Sequence, residues 1–468
     1  MSHQTLKALE IYQNIHFIGI GGIGISALAR ILAKEGHQIS GSDQSSSKNT
    51  DLLASENISL TIGHKAENIP PQTDLVVYTT AIPSNNPEII EAEKRGLKQL
   101  TYPQAIGLLT QKYRSICIAG THGKTTTTAM LGLMLEAVSA DPTVIVGSLI
   151  PEFDHKNERL GNSPWLVLES CEYKDAFLNY SPEIVVLTCI DPEHLDYFGT
   201  PEKYLQAFRN FLSKIPSNGA LIANIDDSNI KKIIQEQQWN FSIITYGESS
   251  EADFQLNNHQ LTLPSKKVLE LSLLIPGHHN LMNASAALAT LIHLQHSPDQ
   301  ALEALKTFRG AARRFEIKGQ IGQTTIVDDY AHTPMEIQAT LQGAKEYFGP
   351  NSKILVIFQP HQYSRTHYFL QEFSQSFQNA DQVFIPNIYR TRDTEEDVAK
   401  VNVDTLVEAI NQQHPILPGA TAARASNTHN LPETLEKTLS IANQYNAIIT
   451  IGAGDITTLS DQIIKTSQ

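Results

Sequence analysis

The chain has 468 residues, with 35 Lys and Arg against 49 Asp and Glu, for a formal net charge of −14. At roughly 150 residues per domain, this length predicts about three domains, and a 41% apolar fraction with scattered Gly and Pro excludes a disordered or fibrous chain. The acidic balance argues against a nucleic-acid surface, so any anionic ligand must be held locally by backbone N–H groups, metal ions and a few Lys or Arg.

Three cysteines (Cys117, Cys171 and Cys189) with no CxxC pattern exclude a disulfide framework and fit a reducing cytoplasm. Residues 1–15 carry neither the charged nor the apolar part of a signal peptide, and no apolar run reaches the roughly 18–20 residues of a membrane span. The expectation is a cytoplasmic protein with no membrane insertion and no nucleic-acid partner.

Residues 14–20 read as a strand that meets a glycine turn and then a helix over 24–35. Strand-like stretches at 37–42 and 74–82 follow at the spacing of a parallel, doubly wound α/β sheet. A second start lies at residue 114, with a strand at 115–119, a loop over 120–128 and a helix to about 138. Further strands are expected at 165–169 and 184–190, short β segments between 241 and 275, and a strong helix at 281–296. A third start lies near 315–318, with a strand or hairpin over 319–331, a helix over 334–347 and strands at 353–359 and 447–452. The expected domains are 1–112, 113–317 and 318–468.

Two glycine-rich loops carry the first chemical signals. Gly19-Ile-Gly21-Gly22-Ile23-Gly24 closes the first strand and opens the first helix, where backbone approach and a helix N-terminus favour a phosphate. Asp43 follows about twenty residues on, where such folds touch a ribose. A dinucleotide dehydrogenase, another nucleotide-binding protein and a tight packing turn all remain open on this loop alone. The second loop, Gly120-Thr121-His122-Gly123-Lys124-Thr125-Thr126, lies between an apolar strand and a helix. Its N–H groups suit phosphate oxygens, Lys124 neutralises charge, and the Thr125 hydroxyl suits a Mg²⁺ ion. Two phosphate loops in successive domains suggest two different nucleotides, which tells against a simple dehydrogenase.

These loops, together with His278-His-Asn280-Leu-Met-Asn283-Ala, Ala312-Arg313-Arg314-Phe315-Glu316, Asp328-Asp329-Tyr330-Ala331-His332, Phe358-Gln-Pro-His361-Gln362-Tyr-Ser-Arg365-Thr366 and Gly452-Ala-Gly454-Asp455, resemble the Mur ligases, which build the peptide of the bacterial cell-wall precursor. The resemblance covers nearly the whole chain. It implies a three-domain α/β fold: a Rossmann-like N-terminal domain for a UDP-sugar, a central P-loop ATPase-like domain, and a Rossmann-like C-terminal domain for the amino acid. It implies an ATP- and Mg²⁺-dependent amide ligase of peptidoglycan synthesis, acting through an acyl phosphate as a monomer or homodimer. Within the family, the last motifs are most similar to the member that joins L-alanine to UDP-N-acetylmuramate.

By that resemblance, Gly120, Thr121, His122, Gly123, Lys124, Thr125 and Thr126 hold the ATP phosphates. Asn280 and Asn283 face the adenine, Arg314 a phosphate and Asp329 the ribose. Thr125, Glu169 and His194 are the implied metal ligands. Gly21, Gly22, Ile23 and Gly24 cradle the UDP diphosphate, with Ser42, Asp43 and His64 toward the uridine. Tyr330, His332 and Arg365 surround the amino acid, and Lys124, His194, His332 and Arg365 are the implied catalytic set, His332 as a base for the amine. Bland readings stand beside several of these: a helix cap for Glu169, Asn280 or Asn283, a structural histidine for His194, and interdomain ion pairs for Arg314 and Asp329.

Four departures from the family pattern stand out. Cys189 replaces the usual Asn, and Glu193 the usual Asp. The segment after Glu169 reads Ser170-Cys171-Glu172-Tyr173-Lys174. Gln362 stands where an Arg is usual, with Arg390 and Arg392 as possible substitutes. Beyond these four, Phe208 occupies the position at which most members carry a carbamylated Lys, which the L-alanine-adding members also lack. Two alternatives follow: a ligase that attaches a ready-made tripeptide to the same muramate substrate, echoed by Tyr173, and a nucleotide-binding homologue with altered amino-acid specificity or no turnover.

Overall fold

The computed structural model describes residues 9–413 and 424–466. Three sheets organise the chain, and it packs as two compact units: residues up to 272 together with 281–308, and residues 273–280 together with 309 onward.

The first sheet is wholly parallel, in the order Ser59–Ile62, Gln38–Asp43, Asn14–Ile18, Leu75–Tyr78, Lys98–Thr101. Strand order reverses on either side of Asn14–Ile18, so a crevice opens at the carboxyl end of that strand. The helix Ile23–Lys34 starts there and buries Ile25, Ala27, Leu28, Ala29, Ile31 and Leu32 at helical spacing. The strands at 59–62 and 98–101 were not legible in the sequence, because each is four residues long and largely exposed or polar.

The second sheet has ten strands, with Arg114–Ala119 flanked by Ile184–Leu187 and Trp165–Glu169 at its parallel centre. The strands Lys156–Arg159, Gln260–Thr262 and Val268–Glu270 run antiparallel at its margins. Both sheets belong to one compact unit, so residue 112 parts two sheets that pack together. Buried contacts join them: Arg30 of the first helix donates to Glu158 at 3.0 Å and to Asn157 at 3.2 Å. Phe177, Phe208 and Phe211 form a fully buried aromatic cluster with Tyr204. Each buried Phe side chain contributes about 1.5–3 kcal/mol by leaving water. Phe208 is therefore core and presents no charged group at the position of the carbamylated Lys.

The second unit is built on a six-stranded sheet ordered Glu316–Ile321, Thr324–Asp329, Ala447–Ile451, Ile354–Phe358, Gln382–Ile385, Ala425–Asn427. The stretch expected as one strand or hairpin over 319–331 is an antiparallel hairpin that begins at Glu316, and every other pairing is parallel. Among the described residues, no helix is long and apolar enough to cross a membrane.

Candidate active site

The first glycine loop leaves its helix without a side-chain cap, so the helix N-terminus is open to a ligand. Gly21 donates its N–H to Asp43 Oδ2 at 2.9 Å, and a Cβ at Gly21 would lie 2.9 Å from that oxygen and 2.8 Å from Thr50 Cγ2, so a larger residue would force those side chains to shift. A cavity of about 680 Å³ opens here, lined by Gly19, Gly21, Gly22, Asp43, His64 and Asn86 among others. Ile23 and Gly24 begin the helix; the Ile23 carbonyl accepts from Asn157, and Gly24 lies against Tyr102. Ser42 is fully buried beneath this cavity, with its hydroxyl 3.1 Å from His64 Nδ1.

The second loop is built on opposite electrostatics. Gly123 caps the helix Lys124–Ala137 at φ 81°, a left-handed conformation that costs an L residue about 1 kcal/mol or more. Lys124 Nζ folds back over the loop, donating to the carbonyls of Gly120 (2.5 Å) and Thr121 (3.0 Å) and to Glu172 Oε2 (3.1 Å). Burial alone would depress this ammonium, but Glu172, Glu169 and Glu193 outweigh it and hold the group above its ordinary value. Thr125 donates to Glu169 Oε1 at 2.9 Å, and Glu169 Oε2 accepts from the N–H of Gly147. Thr121 bonds the backbone of Asp191 through its hydroxyl and meets the buried Tyr204 hydroxyl at 2.9 Å. His122 donates its N–H to Cys189 Sγ at 3.3 Å, and Thr126 is buried in the first helical turn. Burial pushes the Cys189 thiol up to about 12, so it serves here as a neutral acceptor.

His194 stands at φ 55° on the loop beyond Ile184–Leu187, with Nε2 3.8 Å from Glu172 and 4.0 Å from Glu193. Glu172, Glu193 and His194 each bring a ligand-type atom within 4.8 Å of the others. The expected set Thr125, Glu169 and His194 is thus arranged as a Thr125–Glu169 pair, with His194 among two other carboxylates. Glu172 was read only as part of an altered segment. Its one sequence signal is the three-residue offset from Glu169, and only the turn after the strand brings it to Lys124.

Asn283 accepts from the Thr127 hydroxyl at 3.2 Å through the oxygen that also faces Gly123. Asn280, assigned to the other unit, donates to the Pro276 carbonyl at 2.6 Å.

In the second unit, the guanidinium of Arg314 lies 5.1 Å from the Tyr330 ring centre. Asp329 turns inward: its oxygens accept from the N–H groups of Phe315 (2.7 Å) and Ala331 (2.8 Å) and from the Thr340 hydroxyl. Burial raises its carboxyl to about 6, partly offset by Arg314 and those N–H groups. His332 Nδ1 lies 3.1 Å from the Tyr330 carbonyl and 3.2 Å from Glu336, two acceptors, so Nδ1 carries a proton and, in the neutral ring, Nε2 the lone pair. His361 stacks on Tyr389 and is depressed to about 4, first by burial and then by the charge of Arg365. Gln362 holds φ 76° and donates to the Thr391 carbonyl at 3.3 Å. Of the two candidate substitutes for the missing Arg, Arg390 is ion-paired with Glu395 at 2.6 Å, whereas Arg392 acts on His361.

The chain thus combines a doubly wound crevice, a lysine-bearing glycine loop beside carboxylates and a third α/β sheet, and its likeness to known proteins gives these parts the class of a multidomain ligase. Family models match one per sheet: the Mur ligase family catalytic domain over residues 14–114, the Mur ligase middle domain over 118–291 and the Mur ligase glutamate ligase domain over 313–454. The chain belongs to the Mur ligase family. It is 38% identical to the UDP-N-acetylmuramate–L-alanine ligase of Caldanaerobacter subterraneus, covering 98% of both chains. It is equally identical to the enzyme of that name from Clostridium botulinum, over 97% of this chain and 98% of that one. The crystal structure of the Thermotoga maritima UDP-N-acetylmuramate–alanine ligase superposes with a TM-score of 0.80 at 30% identity, over 97% of this chain and 98% of that one.

Proposed function

We propose that this chain joins L-alanine to the carboxylate of UDP-N-acetylmuramate with cleavage of ATP, in peptidoglycan precursor synthesis. The observation that carries the reading is likeness along the whole chain to L-alanine ligases, at 38% identity.

The muramate carboxylate attacks the γ-phosphorus of ATP, the bond to ADP breaks, and an acyl phosphate forms. The amine of L-alanine attacks the acyl carbon, loses a proton, and phosphate departs as the amide forms. The physical obstacle is the approach of one anion to another, so the residues must position and neutralise. The second loop suits this: its N–H groups and Lys124 take the ATP phosphates, and Asn283 fixes the loop from behind. The donor set fits Mg²⁺, since hard carboxylate oxygens predominate: Glu172, Glu193 and His194 would hold one ion, and Thr125 with Glu169 another. Bound Mg²⁺ supplies charge neutralisation between phosphate oxygens and the incoming carboxylate.

Gly21 to Gly24 receive the UDP diphosphate, with Ser42, Asp43 and His64 at the nucleoside end. Arg365 and Arg392 hold the carboxylate of the amino acid, and the Nε2 lone pair of His332 takes the amine's proton. Arg314 serves a phosphate and Asp329 the ribose side of ATP. Asp329 acts by tying the backbone of Phe315, next to Arg314, to that of Ala331.

The test is phosphate release from UDP-N-acetylmuramate and Mg-ATP with one amine at a time: L-alanine, glycine, L-serine or the L-Ala-D-Glu-diaminopimelate tripeptide. Release with L-alanine is expected. Release with the tripeptide alone would make it a recycling ligase, and silence with every amine despite ATP binding would make it a nucleotide-binding homologue.

A further inference from the structure

Beneath the first cavity lies a carboxylate to which nothing in the reaction assigns a role. Glu88, on the helix Pro87–Lys94, has no solvent exposure and collects four donors. Oε2 lies 2.9 Å from His16 Nε2 and 2.7 Å from the Ser42 hydroxyl; Oε1 lies 3.0 Å from His64 Nδ1 and 3.0 Å from Asn68 Nδ2. Burial works against its charge, yet these donors outweigh burial and hold the carboxyl below its ordinary value.

Proton counting then fixes the histidine. Ser42 gives its only hydroxyl proton to Glu88, so its oxygen is an acceptor toward His64 Nδ1 at 3.1 Å. The second neighbour of Nδ1 is Glu88 itself, also an acceptor. Both face the same ring nitrogen, so Nδ1 carries the proton, and in the neutral ring Nε2 carries the lone pair. Nε2 makes no hydrogen bond among the described residues, and His64 lines the cavity that begins at Gly19 to Gly22. Behind it, His16 is fully buried and bonds Ser40 through its other nitrogen, so the carboxylate has no route to swing away.

We infer that Glu88 is a positioning residue for nucleotide recognition: it locks His64 as a hydrogen-bond acceptor that selects a donor on the uridine, either the uracil imide N–H or a ribose hydroxyl. This rests on the reading that the first cavity takes the UDP-sugar. An acceptor at this place favours the nucleoside end and disfavours an anionic oxygen, which leaves the diphosphate to the glycine loop. The signal was invisible in the sequence because the partners His16, Ser42, His64 and Glu88 come from four separate elements.

The experiment combines ring ¹⁵N spectra of histidine with calorimetric titration of UDP into the full chain, comparing wild type with Glu88→Gln. His64→Gln assigns the His64 signals. In wild type, His64 should show a protonated Nδ1 and an unprotonated Nε2, a readout that needs no variant to fold. Glu88→Gln should mix the two tautomers and weaken UDP by about tenfold, the loss of one charge-assisted hydrogen bond, with Mg-ATP affinity unchanged. UDP analogues methylated at the imide nitrogen, or lacking one ribose hydroxyl, identify the donor: with the right one removed, wild type and variant bind equally. A protonated Nε2 in wild type, equal UDP affinity in the two proteins, or a difference that survives in every analogue overturns the inference. If wild type binds Mg-ATP but neither UDP nor UDP-N-acetylmuramate, the reading of the cavity fails instead.

Discussion

In the proposed reaction the two glycine loops solve one problem, holding a phosphate at a helix N-terminus, with opposite surroundings. The first has no Lys or Arg in its lining; Asp43 is engaged with Gly21, and the carboxylate of Glu88 lies behind the lining residue His64. The second folds a lysine over itself and gathers Glu169, Glu172 and Glu193 with His194. The difference teaches what each ligand must do there. A diphosphate that is only anchored is served by N–H groups, whereas a polyphosphate that must meet another anion needs movable cations and carboxylates to hold them.

The largest effect that would break this contrast is expected from Lys124→Met. Turnover, followed as phosphate release, should fall by about 10²–10³-fold, as for loss of a transition-state charge partner. Glu172, only 1% exposed, would lose its closest cation and keep the Tyr204 hydroxyl at 3.4 Å and His194 at 3.8 Å, so thermal unfolding should also show a loss of about 1–3 kcal/mol. Adding Glu172→Gln should restore stability without restoring turnover, separating the two roles of the lysine.

Metal dependence sharpens the contrast further. Chelation by EDTA should abolish turnover yet leave UDP binding intact by calorimetry. Glu172→Gln alone should raise the Mg²⁺ concentration for half-maximal activity by about tenfold or more.

On the other loop, Asp43→Ala should raise the KM for UDP-N-acetylmuramate by about tenfold while the KM for ATP stays put, because it releases Gly21. An ATP effect of equal size would mean the two loops are not independent. Fixed cations offer a third way to hold an anion. Arg392→Gln should raise the KM for L-alanine by about tenfold, whereas Arg390→Gln, already paired with Glu395, should leave it unchanged.

The smallest effect concerns the clamp between the two sheets. Burial raises Glu158 from its ordinary 4.5 to about 7, partly offset by Arg30 and Lys156. The folded state therefore binds this proton more tightly than the unfolded chain, and the group's contribution to stability declines as pH rises from about 4.5 to 7. Glu158→Gln should remove that decline, gaining roughly a few degrees in Tm relative to wild type between pH 5 and pH 7. Arg30 keeps Glu56 at 2.6 Å in the variant.

What the sequence determined by itself was local or periodic. The strand–glycine–helix units at 14–35 and 114–137 were legible because alternating apolar runs and turn residues sit within twenty residues of one another. Lys124 and Thr125 were legible from the glycine loop, Glu169 and His194 only through the resemblance to the Mur ligases, and the aromatic nature of Phe208 already removed a charged group from its position. Tertiary structure alone decided which carboxylates serve which cations. Glu172 reaches Lys124 across 48 residues and Glu88 reaches His16 across 72, and no period connects such positions. It also decided that Asp329 ties the backbone of Phe315 to that of Ala331 and that Arg390 is engaged by Glu395. The physical reason is common to all of these. Buried charge is tolerated only where donors converge on it from separate elements, and that convergence is a property of packing, not of residue order.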